Sequence, residues 1–549
     1  LLLINFFFIY ICGFAVFGFW GRGVDDWLKV LIMNPLSQNT NQYQPQAGPF
    51  SPPSTTHRNI RWPTTRENRL DRSPKNGYIF QNLLPMNALT HTPATAPQIA
   101  QLVAQQRDFF RRNGTQTLDF RLAQLRKLRQ LIVEHEAELI AAIHADFGKS
   151  KYETQLTEIL PLLGEINLAL KKLKKWIKPT KVKTNILNFP AKSYLVPEPL
   201  GVALVIGAWN FPYNLSLIPT VGSMAAGNTT IIKPSELPAA TSRIMARLIN
   251  DNFEPHYLRV VEGGIPETTA LLQQRYDKIF FTGSPKVGKI VNQAAAPHLT
   301  NVTLELGGKN PAIFTKDCSL PVAVKRMIWG KFLNAGQLCI TTDYALVHRD
   351  IKAEFLRLAV AEIEKSNFSP ENHNLVQIIN ERNFDRVVGL IDPEKVHYGG
   401  RYSRAERLIY PTILTDVSTE DAIMQEEIFG PLLPVLEFDT LDEAFALIQG
   451  FEKPLSAYLF SNDAHSKERF LREVPFGNGG INEAVMQNSN PDLPFGGVGN
   501  SGMGSYHGEY SFKCFSHYKA VMEKTPVIET NLKYYGYTEQ KIKLFKKLM

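Results

Sequence analysis

Five short apolar segments alternate with helical segments between residues 201 and 308, and this alternation restricts the fold more than any other feature of the chain. The apolar segments run from GVALVIGAW at residue 201 to VTLELGG at residue 302, and they are rich in residues that strands favour. Strands joined through helices form a parallel sheet that is covered on both faces. The sequence therefore predicts an α/β domain built on a parallel sheet.

Polar residues follow several of these predicted strands. In open parallel sheets, ligands bind at the edge where the carboxyl ends of the strands lie. We therefore predict a ligand site at this edge. Its candidate residues are Asn210, Lys233, Glu236, Gly283, Ser284 and Glu305.

A second, less regular alternation follows Gly308, with predicted strands at NPAIF, YALVH, GPLLPVLEF and LSAYLF. It predicts a second α/β domain, which contains Cys339 in the stretch FLNAGQLCITTDY. This thiol lies among Asn, Gly, Gln and Thr rather than inside an apolar segment. Because a cofactor and a substrate usually meet in a cleft between domains, we expect Cys339 to face Glu305 across such a cleft.

Composition narrows the classes of function. The four cysteines are far apart and lack metal-ligand spacing, so we predict no metal site, no disulfide framework and a reducing compartment. The net charge is +8, but residues 1–96 hold 8 Lys and Arg against 4 Asp and Glu, which is half of that excess. The basic segment at 171–183 has the pattern of a solvated helix end that leads into an exposed strand. We therefore predict no nucleic-acid partner.

The segment GSPKVGK at 283–289 matches the first seven positions of the phosphate-binding loop of nucleoside triphosphatases. The eighth position is Ile290, which lacks the hydroxyl that would bind Mg²⁺, and this counts against an NTPase. What remains is a glycine turn that opens a helix, and it either binds a dinucleotide pyrophosphate or is a tight turn without a ligand. Lys233 and Glu236 likewise either face a ribose or are a solvated pair. The residues alone leave these alternatives open.

Several longer motifs occur in order along the chain. They are WNFPYN at 209, KPSE at 233, FTGSPKVGKIV at 281, VTLELGGKNPAIF at 302, FLNAGQLCITTDY at 332, QEEIFGPLLPV at 425 and PFGGVGNSGMGSYHGEYSF at 494. With these motifs the chain closely resembles the aldehyde dehydrogenase superfamily from about residue 97 to 520. The segments CITTDY and NSGMGSYHG are most similar to its class 3 branch, which includes fatty, aromatic and coniferyl aldehyde dehydrogenases.

The resemblance implies roles for three side chains at the cleft. Cys339 would be the nucleophile, Asn210 and the backbone N–H of Cys339 would stabilise the oxyanion, and Glu305 would be the general base that activates water. The resemblance also implies NAD or NADP as the cofactor. Its contacts would come from Lys233, Glu236, Gly283, Ser284, Val287, Gly288, Glu427 and Phe429.

The predicted function is the NAD(P)-dependent oxidation of medium- or long-chain aliphatic aldehydes, or of aromatic aldehydes, to carboxylic acids. The reaction would pass through a cysteine thiohemiacetal and a thioester. One alternative is a CoA-acylating or phosphorylating relative in which another acceptor takes the thioester, although Glu305 favours hydrolysis. Another alternative, from a different class, is a non-catalytic binding or structural protein that retains the fold.

The resemblance implies a Rossmann-like cofactor domain, a second α/β catalytic domain and a small bridging β-arm through which subunits pair, at least as a homodimer. The predicted boundaries are 1–96 for an N-terminal extension, 97–180 and 204–305 for the cofactor domain, 306–498 for the catalytic domain, 181–203 and 499–520 for the arm, and 521–549 for the tail. The chain departs from class 3 relatives at Thr341 and Thr342, where Ala-Pro is common. Its tail lacks the hydrophobic anchor of some fatty-aldehyde relatives.

Residues 1–20 are uncharged and, at about 1.5 Å per residue, long enough to cross a hydrocarbon core of roughly 30 Å. No Lys or Arg precedes them, and the chain begins with Leu. Residues 34–76 have a polar composition that predicts disorder. The apolar segment is either a membrane anchor on a tether or a translation of sequence upstream of the true start, for which Met86 is a candidate. The predicted location is cytoplasmic, with membrane contact only if residues 1–20 are a genuine anchor.

Overall fold

The computed structural model describes residues 94–529 and 531–549. The predictions for residues 1–20, for residues 34–76 and for Met86 concern residues outside this range. Within the described range, every helix falls short of the length and apolar character that a bilayer span requires.

In chain order, the strands of the described range are β1 (Thr180–Val182), β2 (Ala191–Pro199), β3 (Val202–Ile206), β4 (Thr229–Lys233), β5 (Leu258–Val260), β6 (Lys278–Thr282), β7 (Asn301–Glu305), β8 (Pro311–Phe314), β9 (Tyr344–His348), β10 (Val396–Tyr398), β11 (Tyr402–Ser403), β12 (Leu408–Ile409), β13 (Thr412–Leu414), β14 (Leu432–Phe438), β15 (Ser456–Phe460), β16 (Asn478–Ile481), β17 (Gly502–Met503) and β18 (Ser516–Lys524).

The α-helices of the same range are α1 (Ala96–Arg111), α2 (Leu118–Glu134), α3 (Glu136–Phe147), α4 (Lys151–Thr154), α5 (Leu160–Trp176), α6 (Pro212–Ala226), α7 (Ala239–Asn250), α8 (Ile265–Leu272), α9 (Pro285–Ala295), α10 (Leu320–Phe332), α11 (Arg349–Ser366), α12 (Glu381–Val388), α13 (Ala422–Gln425), α14 (Leu441–Gln449), α15 (Ala464–Glu473), α16 (Gly508–Cys514) and α17 (Glu539–Leu548).

A six-stranded sheet has the order β17-β7-β6-β3-β4-β5. Strands β3, β4 and β6 are buried at every residue, because helices cover both faces and water reaches neither. Each pair from β5 to β7 is parallel, which confirms the five predicted parallel strands. Strand β17 adds an antiparallel edge beside β7 that the sequence did not predict. It has only two residues, which are too few to produce a periodic pattern.

A seven-stranded sheet has the order β10-β13-β14-β9-β8-β15-β16 and is parallel except for β10 at its edge. The predicted strands NPAIF, YALVH, GPLLPVLEF and LSAYLF form its centre as β8, β9, β14 and β15. Strand β16 was not predicted, because its sequence NGGI contains two glycines and has little strand propensity. The chain therefore has the predicted mixed α/β architecture with two largely parallel sheets.

The strands β1, β2 and β18 form a separate three-stranded antiparallel sheet in the order β1-β2-β18. Strands β2 and β18 pair along nine residues, and the segment after α5 enters exposed β1 as predicted. The division into domains remains a proposal, which the membership of the strands supports. One detail differs from it: residues 499–520 were assigned to the arm, yet they contribute β17 to the six-stranded sheet.

Helix α6 connects the first sheet to the site. It is buried along nearly its whole length and ends at Gly227, whose φ of 95° is in the left-handed region that glycine tolerates at a helix end. It begins at Pro212, since a proline at the first helical position loses no helical hydrogen bond. The short segment between β3 and α6 therefore places Asn210 at the carboxyl edge of the sheet.

Candidate active site

Cys339 lies in the segment between α10 and β9, and the backbone before it has an unusual conformation. Asn334, Ala335 and Gly336 are all left-handed, with φ values of 53°, 51° and 70°. A Cβ atom at Gly336 would lie 2.3 Å from the Gly430 carbonyl oxygen, so this position requires glycine. Two consecutive non-glycine residues in this region persist only where their surroundings hold them.

Hydrogen bonds hold the backbone around the thiol. The side-chain Nδ2 of Asn310 donates to the carbonyl oxygens of Cys339, at 2.7 Å, and Thr341, at 3.0 Å. The hydroxyl of Tyr458 donates to the carbonyl oxygen of Ile340 at 2.5 Å. Cys339 carries a free thiol and is partly exposed, whereas Ile340 is buried. The thiol is therefore carried on a fixed backbone and remains accessible.

Asn210 contacts the same segment from the other sheet. It is 3% exposed, and its Nδ2 donates to the carbonyl oxygen of Gln337, two residues before the thiol, at 3.1 Å. This bond uses one of the two N–H groups of the amide. The structure thus brings the predicted amide donor to the segment that carries the predicted nucleophile.

Glu305 is the last residue of β7 and is only 1% exposed. Both of its carboxylate oxygens lack a hydrogen-bond partner among the residues that the structure describes. Burial raises the pKa of Glu305 well above its usual range, and the nearby Cys514 raises it further. An unpartnered buried carboxylate is costly, and this property makes Glu305 a candidate functional residue.

Electrostatics link the thiol to two carboxylates. Burial raises the pKa of Cys339 most, and repulsion from Glu427 and then Glu305 raises it further. Burial, together with repulsion from Asp343, raises the pKa of Glu427 to about 8. Cys339, Glu305 and Glu427 therefore lie close enough to interact electrostatically, and the raised pKa keeps the thiol protonated at neutral pH.

This environment predicts how Cys339 reacts with iodoacetamide in the cofactor-free protein. Because only the thiolate reacts and its pKa is raised, the rate should increase about tenfold per pH unit between roughly pH 6 and pH 9 without a plateau. Glu427→Gln should increase the rate chiefly above pH 8, where Glu427 is ionised. Mass spectrometry of the Cys339 peptide measures both rates. A plateau near pH 7 would contradict this description of the thiol.

Lys233 and Glu236 lie at the end of β4. The Lys233 ammonium is 2% exposed, donates to the carbonyl oxygen of Pro234 at 2.6 Å and lies 3.9 Å from the Glu236 carboxylate. Burial lowers the pKa of Lys233. The interpretation of a solvated pair is therefore wrong for Lys233, while the side chain of Glu236 is 51% exposed and free to face a ligand.

The glycine turn before α9 lies beside Glu305, the predicted general base. The backbone N–H of Gly283 donates to the carbonyl oxygen of Glu305 at 3.0 Å, so the turn and the end of β7 are joined. Ser284 caps α9 by accepting the N–H of Val287 at 3.5 Å, and the first turn of this helix contains no acidic residue. A Cβ atom at Gly288 would lie 2.8 Å from Leu306, so glycine permits close packing of the helix.

Glu427 and Phe429 lie in the turn after α13. Phe429 has a φ of 47°, and its ring meets Trp209 edge to face at 5.3 Å between centroids. A Cβ atom at Gly307 would lie 1.9 Å from the Glu427 carboxylate, so only glycine lets this acid approach the end of β7. Trp209 directly precedes Asn210, and Glu427 is one of the two carboxylates that act on Cys339.

These features fit a dinucleotide. The first turn of α9 offers backbone N–H groups at a positive helix end for a pyrophosphate. The exposed carboxylate of Glu236 can accept a ribose hydroxyl, and the half-buried carboxylate of Glu427 provides a second acceptor close to the thiol. The predicted cofactor residues therefore form two groups, one at β4 and α9 and the other beside Cys339.

The sequence did not single out several polar residues at this site, namely Lys149, Glu153, Glu158, Asn310 and Asn334. A local pattern does not reveal that a Lys or Glu will be buried, because such residues are nearly always exposed. Asn310 and Asn334 lie within the quoted motifs, but neither has a spacing that predicts its contacts. The hydroxyl of Thr341, where the chain departs from class 3 relatives, donates to the carbonyl oxygen of Gly330 at 2.9 Å.

Two largely parallel sheets with a thiol, an amide and a buried carboxylate between them define a class of protein, a two-domain α/β enzyme suited to covalent chemistry at a carbonyl carbon. Comparison with known proteins identifies the family within this class. A family model described as "Aldehyde dehydrogenase family" matches residues 86–521, and the chain belongs to this family. It is therefore an aldehyde-oxidising oxidoreductase that depends on NAD or NADP.

Individual relatives are similar over most of their length. The chain is 44% identical over 439 residues to 4,4'-diaponeurosporen-aldehyde dehydrogenase of Staphylococcus aureus, which covers 79% of this chain and 95% of that protein. It is 42% identical over 439 residues to "Aldehyde dehydrogenase, dimeric NADP-preferring" of Canis lupus familiaris, with 79% and 97% covered. The substrate-bound structure of AldH from Staphylococcus aureus matches with a TM-score of 0.80 and 42% identity, covering 82% of this chain and 99% of that one.

Proposed function

We propose that Cys339, Asn210 and Glu305 carry the oxidation of the aldehyde to the carboxylic acid. The observation that supports this proposal most is the shared environment of the three residues. Two carboxylates, Glu305 and Glu427, act on the pKa of Cys339, and Asn210 binds the backbone two residues before the thiol.

In the proposed reaction, the Cys339 sulfur bonds to the aldehyde carbon and its proton passes to a neighbouring base. The carbonyl oxygen becomes an oxyanion, which the second N–H of the Asn210 amide and the backbone N–H of Cys339 stabilise. Loss of hydride from the thiohemiacetal carbon leaves a thioester on Cys339. Glu305 then takes a proton from water, the hydroxide adds to the thioester, and cleavage of the C–S bond releases the acid. The raised pKa of Glu305 makes it a stronger base.

The cofactor supplies the acceptor of that hydride when it is bound. We assign its pyrophosphate to the turn of Gly283 and Ser284 and the start of α9, with Val287 and Gly288 on the same helix. One ribose is assigned to Lys233 and Glu236, and the nicotinamide half to Glu427 and Phe429. The contacts described above support this assignment, because the first group lies at the sheet edge and the second beside the thiol.

We propose that the substrates are medium- or long-chain aliphatic aldehydes or aromatic aldehydes, and we assign part of the substrate to a cavity of about 220 Å³. Leu493, Pro494 and Phe495 form an apolar part of its wall. Gln487, also in the wall, donates to the Tyr458 hydroxyl at 3.0 Å, and Tyr458 binds the residue after Cys339. The relative from Staphylococcus aureus is named for the aldehyde that it oxidises, 4,4'-diaponeurosporen-al.

The experiment that tests the function measures reduced cofactor with a series of aldehydes. Aldehydes with roughly six to twelve carbons should give higher kcat/KM than acetaldehyde. The reason is that each CH₂ group buried against the apolar wall of the cavity contributes about 0.8 kcal/mol. Product should form without CoA or phosphate. Reduced cofactor that formed only after CoA was added would instead support the acylating alternative.

The choice between NAD and NADP is predicted to depend on Glu236. Its half-exposed carboxylate would repel a 2′-phosphate, while the nearby Lys233 ammonium would remain to attract one. Glu236→Ser should therefore lower the ratio of kcat/KM for NAD to that for NADP by about tenfold, or ~1.4 kcal/mol. Steady-state kinetics with both cofactors measure this ratio. An unchanged ratio would remove Glu236 from the ribose site.

We assign the chain to a homodimer that pairs through the arm formed by β1, β2 and β18. The relative from Canis lupus familiaris is named as dimeric, and strands at the edge of an antiparallel sheet are suited to pairing with another chain. Light scattering should give a mass twice that of the 61.9 kDa chain. A monomer at micromolar concentration would contradict this assignment.

A further inference from the structure

A cluster of buried charged residues contacts the backbone of the proposed site and takes no part in the mechanism above. Lys149, Glu153 and Glu158 belong to the segment between α3 and α5, where the helix widens into a π-helical turn at Gln155–Ile159. All three are buried, and the Lys149 ammonium lies 3.6 Å from the Glu158 carboxylate. Such π-turns are frequently found at functional sites.

Asn334 connects this cluster to the segment that carries the thiol. Its backbone N–H donates to the Glu153 carboxylate at 2.8 Å. Its side-chain Nδ2 donates to two carbonyl oxygens, that of Asn210 at 3.2 Å and that of Gln337 at 3.0 Å. The orientation of this amide is chemically determined, because both neighbours are acceptors and only the NH₂ group can serve them.

Asn210 is thereby held at both ends. Its backbone carbonyl oxygen accepts from Asn334 and also from the Lys149 ammonium at 3.4 Å. Its side-chain Nδ2 donates to the carbonyl oxygen of Gln337, which is the second acceptor of Asn334. The side chains of Asn334 and Asn210 thus share the Gln337 carbonyl oxygen as an acceptor, and Asn334 also binds the backbone of Asn210.

From this geometry we propose that Asn334 is a positioning residue that fixes the Asn210 amide relative to Cys339, with Glu153 anchoring Asn334. The inference rests on the proposed role of Asn210 in stabilising the oxyanion. Donors to an oxyanion act through placement, and a displacement of about 1 Å can cost roughly 100-fold in rate. Asn334 is buried and both N–H groups of its side chain donate to backbone carbonyl oxygens, so we assign its effect to the placement of Asn210.

The left-handed turn offers a matched pair of variants. Asn334→Gly removes the side-chain donor but keeps a residue that tolerates a φ of 53°. Ala335→Gly, at a φ of 51°, makes the same backbone change one residue later without removing a donor. We expect Asn334→Gly to lower kcat by roughly 30-fold, with the KM for the cofactor unchanged. Ala335→Gly should remain within about threefold of the parent protein.

A second measurement separates positioning from a general loss of structure. If Asn334 acts through Asn210, adding Asn334→Gly to Asn210→Ala should lower kcat by less than about threefold, because the placed group is already absent. A further loss of threefold or more in that background would overturn the proposal. A loss below about tenfold in the single variant would overturn it as well.

The anchor is tested by a second pair of substitutions. Glu153→Gln keeps an oxygen for the Asn334 N–H, whereas Glu153→Leu removes it, so only Glu153→Leu should lower kcat by about tenfold or more. Asp146→Asn is the control, because this half-buried carboxylate accepts the backbone N–H groups of Ala240 and Thr241, which lie on α7 and outside the thiol segment. Equal losses in both Glu153 variants would overturn the anchoring role. Should Cys339→Ala or Asn210→Ala retain full activity, the proposed function itself would fail, which is a distinguishable result.

Discussion

Replacing Cys339 with alanine is expected to lower kcat/KM for aldehyde oxidation by about 10⁴-fold or more, because it removes the sulfur that would form the covalent bond to the carbonyl carbon. Asn210 and the bound cofactor would still be in place, but an aldehyde without an attached nucleophile is a poor hydride donor. Initial rates of cofactor reduction measure the loss. The dissociation constant for NAD should change little, since the predicted cofactor contacts do not include the thiol.

A matched cysteine serves as the control for this variant. Cys318 is a free thiol in the turn after β8, where its backbone N–H donates to Thr315, and it has no contact with Asn210 or Glu305 among the described residues. Cys318→Ala should retain the activity of the parent protein. If Cys339→Ala kept its activity while Cys318→Ala lost it, the assignment of the nucleophile would be wrong.

Replacing Glu305 with glutamine is expected to separate the two halves of the reaction. Steady-state turnover should fall by about 10²- to 10⁴-fold, because no base remains to activate water. The first hydride transfer should still occur, so one equivalent of reduced cofactor per site should appear as a burst. Stopped-flow absorbance measures the amplitude and the rate of this burst.

The neutral variant also has an electrostatic effect that can be checked. Because Glu305 raises the pKa of Cys339, Glu305→Gln should make the thiol ionise at lower pH and react faster at a given alkaline pH. Glu165→Gln is the control, since Glu165 is a half-buried carboxylate with a pKa raised to about 7 that accepts the N–H of Gly508. It should change turnover by less than about threefold. Loss of the burst in Glu305→Gln would place Glu305 before hydride transfer instead.

The first sheet could be predicted from the sequence because its strands are buried on both faces and therefore read as continuous apolar segments. The edge strands β10, β16 and β17 could not, since short strands with glycine or few residues carry little pattern. The end of helix α6 also carries a sequence signal, because Gly227 supplies the left-handed backbone that follows it. The fold class could therefore be predicted from the periodicity of the sequence, whereas the edge strands could not.

The residues of the candidate site also differ in whether the sequence could predict them. Cys339 could be singled out because a thiol in a polar segment is chemically unusual, whereas Glu305 alone reads as an exposed acid at a strand end and gained its role through the resemblance. Glu427 and Phe429 were available only through the resemblance to a family, because alone their segment reads as a helix end with a turn. Glu153 and Asn334 could not be found, since their contact joins residues that are 181 positions apart.

The membrane prediction for residues 1–20 remains a prediction, because it concerns residues outside the described range. Domain boundaries and site residues likewise remain proposals. The arm illustrates the difficulty of drawing such boundaries, as residues 499–520 contribute to the first sheet through Gly502–Met503 and to the antiparallel sheet through β18. A linear boundary cannot describe a segment that pairs with two sheets.

Trapping the acyl-enzyme tests the central claim most directly. Glu305→Gln protein would be mixed with NAD and a saturated aldehyde, quenched in acid during the burst and digested, and the mass of the peptide that contains Cys339 would be measured. We predict a mass increase on Cys339 equal to the acyl group of the aldehyde used, and no such adduct when NAD is omitted. An adduct on another residue, or a burst of reduced cofactor with Cys339 unmodified, would contradict the account.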